Sequence, residues 1–151
     1  MTGNHGTFMA RAIELSERTS LVEGAGAPFG AVVVQDRTIL AEGANRAAAE
    51  NDPTWHAEIE AIRNACRAAG MVTLRDAVLY ASGEPCAMCM AAAHWAGIKE
   101  IYYASTYDDI AAYGDFGGGE KGAAGGDSIP THQMMSAEAV AVWKKYRDRI
   151  R

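Results

Sequence analysis

Two short segments constrain this chain more than any other feature: His56-Ala57-Glu58 and Pro85-Cys86-Ala87-Met88-Cys89. The His56 imidazole and the thiols of Cys86 and Cys89 are three zinc ligands, one fewer than a closed tetrahedral structural site needs. The fourth position would hold water, whose pKa zinc lowers to about 7. The sequence therefore predicts a fold in which both segments meet at one catalytic Zn²⁺ ion.

Glu58 is the expected proton carrier of this site. His-x-Glu with Pro-Cys-x-x-Cys is typical of zinc-dependent base deaminases, in which water attacks an amino-bearing ring carbon. Glu58 would accept the protons of that water in turn and return one to a ring nitrogen and the other to the departing amine. On a regular helix His56 and Glu58 would point about 200° apart. We therefore expect them at an irregular helix start, after the turn at Asp52-Pro53.

The Cys-x-x-Cys pair alone is open to another interpretation. After a strand and opening a helix, it is also the setting of a thioredoxin-like redox motif, and on that pair the two interpretations are comparable. The spacing of three places Cys86 and Cys89 on one helix face, within reach of one ion. The addition of His56-Ala57-Glu58 favours zinc catalysis. A structural zinc site would lack its fourth protein ligand in either segment.

The composition favours a single domain that acts on a small substrate. The chain has 151 residues, a formal net charge of −5 and no run rich in Lys and Arg, which makes nucleic acid an unlikely partner. No secretory signal is visible in it, and we expect no membrane-spanning segment, because no apolar run approaches the required length. Three cysteines, two of them in Cys-x-x-Cys, suit a reducing compartment. We expect residues 1–151 to form one zinc-dependent deaminase domain in the cytoplasm.

Hydrophobic periodicity predicts alternating helices and strands. The expected strands are Phe29–Val34, Thr38–Ala44, Ala77–Ser82 and Glu100–Ala104. The expected helices are Thr7–Val22, a helix capped by Thr54 and ended by Gly70, one entered at Pro85, Tyr107–Tyr113, and a last one capped by Ser136. Strand–helix–strand order implies parallel pairing. The glycine-dense stretch Gly114–Gly126 is expected to be a loop, either a lid or a connector.

The remaining cysteine and histidines are assigned to structural roles. Cys66 lies on the apolar stripe of its helix and is expected in the core. Three histidines have no partner at ligand spacing and are expected to hydrogen-bond or to face solvent: His5, His94 and His132.

The motifs, their separation and the order of elements resemble the cytidine deaminase-like superfamily. Within it the chain is similar to the bacterial guanine deaminases and, more distantly, to the tRNA adenosine deaminases. The resemblance covers roughly Thr7 to Tyr113. Besides the two zinc motifs, it is carried by Gly26-Ala27-Pro28-Phe29-Gly30-Ala31, Gly43-Ala44-Asn45, Asn51-Asp52-Pro53-Thr54 and His94-Trp95-Ala96.

The resemblance implies an α/β fold, a three-layer α-β-α sandwich with a central five-stranded mixed sheet, and a homodimer. It implies that Asn45 hydrogen-bonds the substrate base and that the backbone N–H of Ala57 contacts its carbonyl. Phe29 would be a wall of the pocket, and Trp95 is a candidate near it. The implied reaction is hydrolysis of a free nucleobase, guanine to xanthine plus ammonia, or of a related amino-purine or amino-triazine.

The chain departs from the guanine-deaminase pattern in two places. After Tyr113-Gly114 that branch typically has Phe-Asp-Asp, whose acid helps to shuttle protons, whereas Asp115-Phe116 and glycines stand here. Asp115 is the candidate second proton shuttle. The chain ends Asp148-Arg149-Ile150-Arg151 instead of in the aromatic tail that closes the pocket of some relatives.

The alternatives to deamination of a free nucleobase are tRNA adenosine-to-inosine deamination, cytosine or nucleoside deamination and, in another class, a thiol redox module.

Overall fold

The computed structural model describes residues 3–114 and 129–150. Five strands within them form one sheet in the order β2-β1-β3-β4-β5. Their bounds are β1 Gly30–Gln35, β2 Thr38–Ala44, β3 Val78–Gly83, β4 Glu100–Ser105 and β5 Thr131–Gln133. β1 pairs with β2 and β3 antiparallel, whereas β3–β4 and β4–β5 are parallel. The expected five-stranded mixed sheet, with β3 and β4 parallel, is confirmed.

Helices flank this sheet. Their bounds are α1 His5–Glu17, α2 Ala47–Glu50, α3 Ala57–Ala69, α4 Ala87–Ala96, α5 Tyr107–Ile110 and α6 Ser136–Ile150. α1 continues as a π-helical turn over Arg18–Val22, and α5 continues as a 3₁₀ turn over Ala111–Tyr113. None of the helices in the described part of the chain combines the length and the apolar character that crossing a membrane requires.

Two hydrophobic clusters show that the sheet is buried on both faces. Successive side chains of a strand point to opposite faces, so Val33 and Leu79 join the cluster with α3 and α4, whereas Val32 and Tyr80 join the cluster with α1 and α6. Cys66 packs against the first cluster and is only partly buried. The alternation produces the three-layer α-β-α architecture.

Two of the predicted helix caps differ from the structure. Thr54 does not cap α3, because its hydroxyl and N–H both donate to Asp52, at 2.6 and 2.8 Å, and shape the preceding turn. His56, in an extended conformation, is the N-cap. α4 begins after Pro85, as the sequence predicts, with Cys86 as its N-cap. Ser136 is the first residue of α6, and its hydroxyl donates to Asp109 at 2.7 Å instead of capping the helix.

α3 lies directly on β2, and this close approach requires Gly43. A Cβ at Gly43 would lie 2.4 Å from the carbonyl oxygen of Ala57 and 2.4 Å from the backbone nitrogen of Ala61. We therefore expect Gly43→Ala to push α3 away from the sheet and to lower the free energy of unfolding by about 1–3 kcal/mol, as overpacking does.

Urea unfolding followed by circular dichroism measures this change in the Gly43→Ala variant. Gly6→Ala, in α1, is the matched control, because a Cβ there meets only Asn4 Oδ1 at 3.4 Å and alanine favours a helix over glycine. Equal stability of Gly43→Ala and the wild type would show that α3 can shift without cost.

Candidate active site

Two helix starts bring the three candidate zinc ligands together. His56 is the N-cap of α3 and Cys86 the N-cap of α4, while Cys89 lies in the first turn of α4. His56 Nδ1 lies 3.6 Å from Cys86 Sγ and 3.5 Å from Cys89 Sγ. All three ligand atoms fall within 4.8 Å of one another, and no second group of this kind occurs among the described residues. The predicted meeting of the two sequence motifs is thus present in the fold.

The separations of these atoms fit a single zinc ion. Zinc binds thiolate sulfur at about 2.3 Å and imidazole nitrogen at about 2.0–2.1 Å. At a tetrahedral angle these bond lengths place nitrogen and sulfur about 3.6 Å apart, in agreement with the observed 3.5 and 3.6 Å. The hydrogen bond from Cys89, and His56 beside it, lower the pKa of Cys86 to about 4. A thiolate, the form that binds metal, is therefore favoured at Cys86.

Glu58 is the buried carboxyl group of the site. Because His56 is extended and α3 begins only at Ala57, both His56 and Glu58 line the same cavity despite their spacing of two. The Glu58 side chain is buried, and this desolvation raises the pKa of its carboxyl group. A carboxyl group with a raised pKa is suited to taking up and releasing a proton near neutral pH.

The cavity beside these residues has a volume of about 110 Å³. Ligand pockets for drug-sized molecules have about 300–1,000 Å³, so this one suits a smaller group. The residues that line it come from the loops at one end of the sheet and from the starts of α3 and α4. They are Ala27, Phe29, Asn45, Ala47, His56, Glu58, Glu84, Cys86 and Tyr107.

Asn45 lies at the end of β2 and is held by four hydrogen bonds. Its backbone N–H donates to Phe29 O at 3.0 Å, and its carbonyl accepts from the Thr19 hydroxyl at 2.9 Å. Its side-chain Nδ2 donates to Ala27 O at 3.3 Å, and Oδ1 accepts from the backbone N–H of Ala47 at 3.1 Å. The amide is therefore oriented before any ligand binds, with one N–H and one oxygen lone pair left over.

Phe29 is wedged between the sheet and the last helix. Its ring meets the indole of Trp143 edge-on, with the ring centroids 5.2 Å apart. A Cβ at Gly83 would lie 2.8 Å from the same ring. The ring thus has little freedom, and it lines the cavity, where the sequence predicts a pocket wall.

Of the three remaining predicted site residues, one lies at a helix start, one is exposed and one lies outside the described residues. Ala57 is the first residue of α3 and is fully buried, at a position where helical N–H groups have no partner within the helix. Trp95 is 85% exposed and does not line the cavity of the described residues. Asp115, and the stretch 115–126 of the glycine-dense loop, lie outside the described residues.

Of the three histidines outside the site, two have hydrogen-bonding partners and one is exposed, as the sequence predicts. His5 Nδ1 lies 2.5 Å from the hydroxyl of Tyr80. His132 Nε2 lies 2.7 Å from a carboxylate oxygen of Glu100, and His94 is exposed.

Sequence reasoning missed two polar residues that line the cavity, Glu84 and Tyr107. Glu84 follows β3 and Tyr107 follows β4, and the Glu84 carboxylate accepts the backbone N–H of Tyr107 at 3.1 Å. Burial raises the pKa of the Tyr107 hydroxyl. Their position in the sequence could have revealed them, because each follows a predicted parallel strand. The carboxyl ends of neighbouring parallel strands meet at one edge of a sheet, where α/β proteins bind ligands.

Comparison with known proteins relates this geometry to a family. Residues 2–105 match the family described as the cytidine and deoxycytidylate deaminase zinc-binding region. Guanine deaminase from Bacillus subtilis (strain 168) is 48% identical over 111 residues, which are 74% of this chain and 70% of that one. An X-ray structure of guanine deaminase from Bacillus subtilis superposes with a TM-score of 0.72 at 38% identity, covering 97% of this chain and 95% of that chain.

A second group of relatives acts on RNA. The tRNA-specific adenosine deaminase of Agrobacterium fabrum is 45% identical over 91 residues, which are 60% of this chain and 60% of that one.

The matched residues 2–105 contain His56, Glu58, Cys86 and Cys89, so these four candidate site residues lie inside the family match. The chain therefore belongs to the cytidine and deoxycytidylate deaminase family and is a hydrolase that acts on C–N bonds.

Proposed function

We propose that this protein is a zinc-dependent hydrolytic deaminase of a free nucleobase, converting guanine and water to xanthine and ammonia, in one domain over residues 1–151. The observation that carries the proposal is the placement of His56, Cys86 and Cys89 at separations that suit one zinc ion, beside the buried Glu58. Guanine is the proposed substrate because the similarity to Bacillus subtilis guanine deaminase spans 74% of the chain. Related amino-purines and amino-triazines are the next substrates to test.

In this reaction Glu58 is the proton carrier. Zinc bound at His56, Cys86 and Cys89 would supply Lewis acidity that makes water nucleophilic at neutral pH. The Glu58 carboxylate accepts one proton from the attacking water and delivers it to the ring nitrogen. It then accepts the second proton, from the hydroxyl group newly added to the ring carbon, and passes it to the leaving amine as the C–N bond breaks and the carbonyl forms.

The base is oriented by groups that the fold already holds in place. The spare N–H and oxygen lone pair of the Asn45 amide suit the edge of a purine, and the backbone N–H of Ala57 suits its carbonyl oxygen. Phe29 offers an apolar wall to the ring. Asp115 stays a proposed second proton shuttle, placed after Gly114 in the sequence.

An ammonia-release screen tests the substrate directly. The purified protein is assayed with guanine, adenine, cytosine, their nucleosides and amino-triazines, and its zinc content is measured by elemental analysis. We expect about one zinc per chain, as a single three-ligand site requires, and the highest kcat/KM with guanine. Full activity without zinc, or no ammonia from any base, would refute the proposal.

The alternatives are less well supported. The similarity to the Agrobacterium tRNA-specific adenosine deaminase extends over 60% of the chain against 74% for the Bacillus guanine deaminase. A net charge of −5 also opposes binding to a polyanion. Deamination of a tRNA adenosine would show a steep salt dependence of binding, and cytosine or a nucleoside would stand out in the same screen. A thiol redox module would form a reversible Cys86–Cys89 disulfide in zinc-replete buffer.

We also propose that the protein is a cytoplasmic homodimer that pairs through the outer face of α4. Nine of the ten residues of this helix are apolar, His94 being the exception, and a helix that is apolar all round is normally buried. Trp95 is nevertheless 85% exposed in the single chain. Large exposed aromatic groups of this kind are typical of interface centres.

We expect Trp95→Glu to convert the dimer to a monomer, because the new carboxylate would have to be desolvated in the interface. Light scattering coupled to size-exclusion chromatography measures the mass. Val22→Glu is the control: Val22 is 75% exposed but follows α1, on the opposite layer of the fold. A wild type that is monomeric, or a Trp95→Glu variant that stays dimeric, would contradict pairing through α4.

A further inference from the structure

Glu60 is a half-buried link between two segments that carry active-site groups. It lies in the first turns of α3, and its two carboxylate oxygens have different donors. Oε2 accepts the indole N–H of Trp55 at 2.5 Å, and Oε1 accepts the backbone N–H of Ala44 at 3.1 Å. Ala44 is the last residue of β2, and Trp55 belongs to the loop before α3.

The two donors stand directly before two cavity residues. Ala44 precedes Asn45, and Trp55 precedes His56. A third bond closes the network, since the backbone N–H of Arg46 donates to Trp55 O at 3.1 Å. The strand end that carries the substrate-orienting amide is thus joined to the loop that carries a zinc ligand.

The hydrogen bonds of Asn45 itself do not reach the loop that carries His56. The four hydrogen bonds of Asn45 run to Phe29, Thr19, Ala27 and Ala47, none of which belongs to the loop over residues 51–56. Among the described strands, β2 is the edge strand and pairs with β1 alone. The carboxylate of Glu60 accepts the Ala44 N–H, which no described strand accepts. Glu60 and the Arg46–Trp55 backbone hydrogen bond therefore join the end of β2 to the start of α3.

We propose that Glu60 is a positioning residue, which sets the distance from the Asn45 amide to His56 and Glu58 and so aligns the substrate with the reacting water. The inference rests on the proposed function. It predicts that loss of Glu60 weakens base binding and turnover through Asn45, while zinc stays bound by its own three ligands.

Kinetics and binding of matched variants test this role. We expect Glu60→Ala to lower kcat/KM for guanine at least tenfold, because a misplacement of about 1 Å can cost 10²-fold. Trp55→Phe removes one donor and Glu60→Gln one acceptor oxygen, so both should lose less. In an inactive Glu58→Gln background, fluorescence titration should show guanine binding about tenfold more weakly once Glu60 is also replaced. Glu138→Ala, which removes an exposed carboxylate of α6, should match the wild type.

A double-mutant cycle with Asn45→Ala separates positioning from a merely structural role. If Glu60 acts through Asn45, adding Glu60→Ala to Asn45→Ala should cost less than threefold in kcat/KM. Independent losses that multiply would overturn the inference, as would an unchanged Glu60→Ala enzyme with an active wild type. A wild type that deaminates no base would refute the proposed function and this inference with it. If Glu60→Ala does not fold, the same cycle with Asn45→Ala is measured for Glu60→Gln and Trp55→Phe. A loss of kcat/KM that disappears in the Asn45→Ala background supports positioning, whereas no loss, or a loss that multiplies with that of Asn45→Ala, overturns it.

Discussion

Glu58→Gln is expected to keep its zinc and its fold while kcat falls by about 10²–10⁴-fold, the range that general acid–base catalysis contributes. Glutamine has nearly the shape of glutamate, so the packing around this buried position is preserved. Its amide neither accepts the proton of the attacking water nor delivers one to the leaving amine. KM should change little, because Asn45, Phe29 and the backbone N–H of Ala57 are untouched.

Steady-state assays of ammonia release, with zinc measured in the same samples, test this prediction. Glu138→Gln, at an exposed position, is the matched control and should retain wild-type kcat. A Glu58→Gln enzyme within a few-fold of wild type would mean that another group carries the proton, and the buried carboxyl would then need a different explanation. Loss of zinc together with activity would instead make Glu58 a structural support of the metal site.

The second large effect is expected for Cys89→Ala. Cys89 is fully buried, and its sulfur is 3.5 Å from His56 Nδ1. Two remaining protein ligands are too few for the three-ligand catalytic arrangement of zinc. We therefore expect the variant to bind far less than one zinc per chain and to have no detectable deaminase activity, with a lower melting temperature because bound metal stabilises the folded state.

Cys66→Ala is the matched control for this variant, since Cys66 is the remaining cysteine and lies outside the ligand group. It should keep zinc and activity. Removing zinc from the wild type with a chelator should abolish turnover, and added zinc should restore it. A Cys89→Ala enzyme that still holds a full equivalent of zinc would show that another group completes the site.

Much of the chemistry is readable without coordinates. The residue types His56, Cys86 and Cys89 and the acid Glu58 identify a zinc-type donor set with a proton carrier, because few other functions need these groups at these spacings. The order of the first four strands and the parallel pairing of β3 and β4 also follow from periodicity and from the handedness of crossovers. The three-residue strand β5 is too short for periodicity to reveal. The exceptions are local, such as Thr54, whose hydroxyl is used by Asp52 instead of the helix.

The remaining features depend on contacts between segments that are distant in the sequence. Spacing alone would place His56 and Glu58 on different sides of a helix, and they share a cavity only because α3 starts after His56. Glu84 and Tyr107 join that cavity because β3 and β4 end side by side. The link through Glu60 depends on the close packing of α3 against β2, which a sequence pattern does not encode. The chemistry of a side chain depends on its residue type, which the sequence states directly. The distance between two segments depends on how they pack, which only the tertiary structure determines.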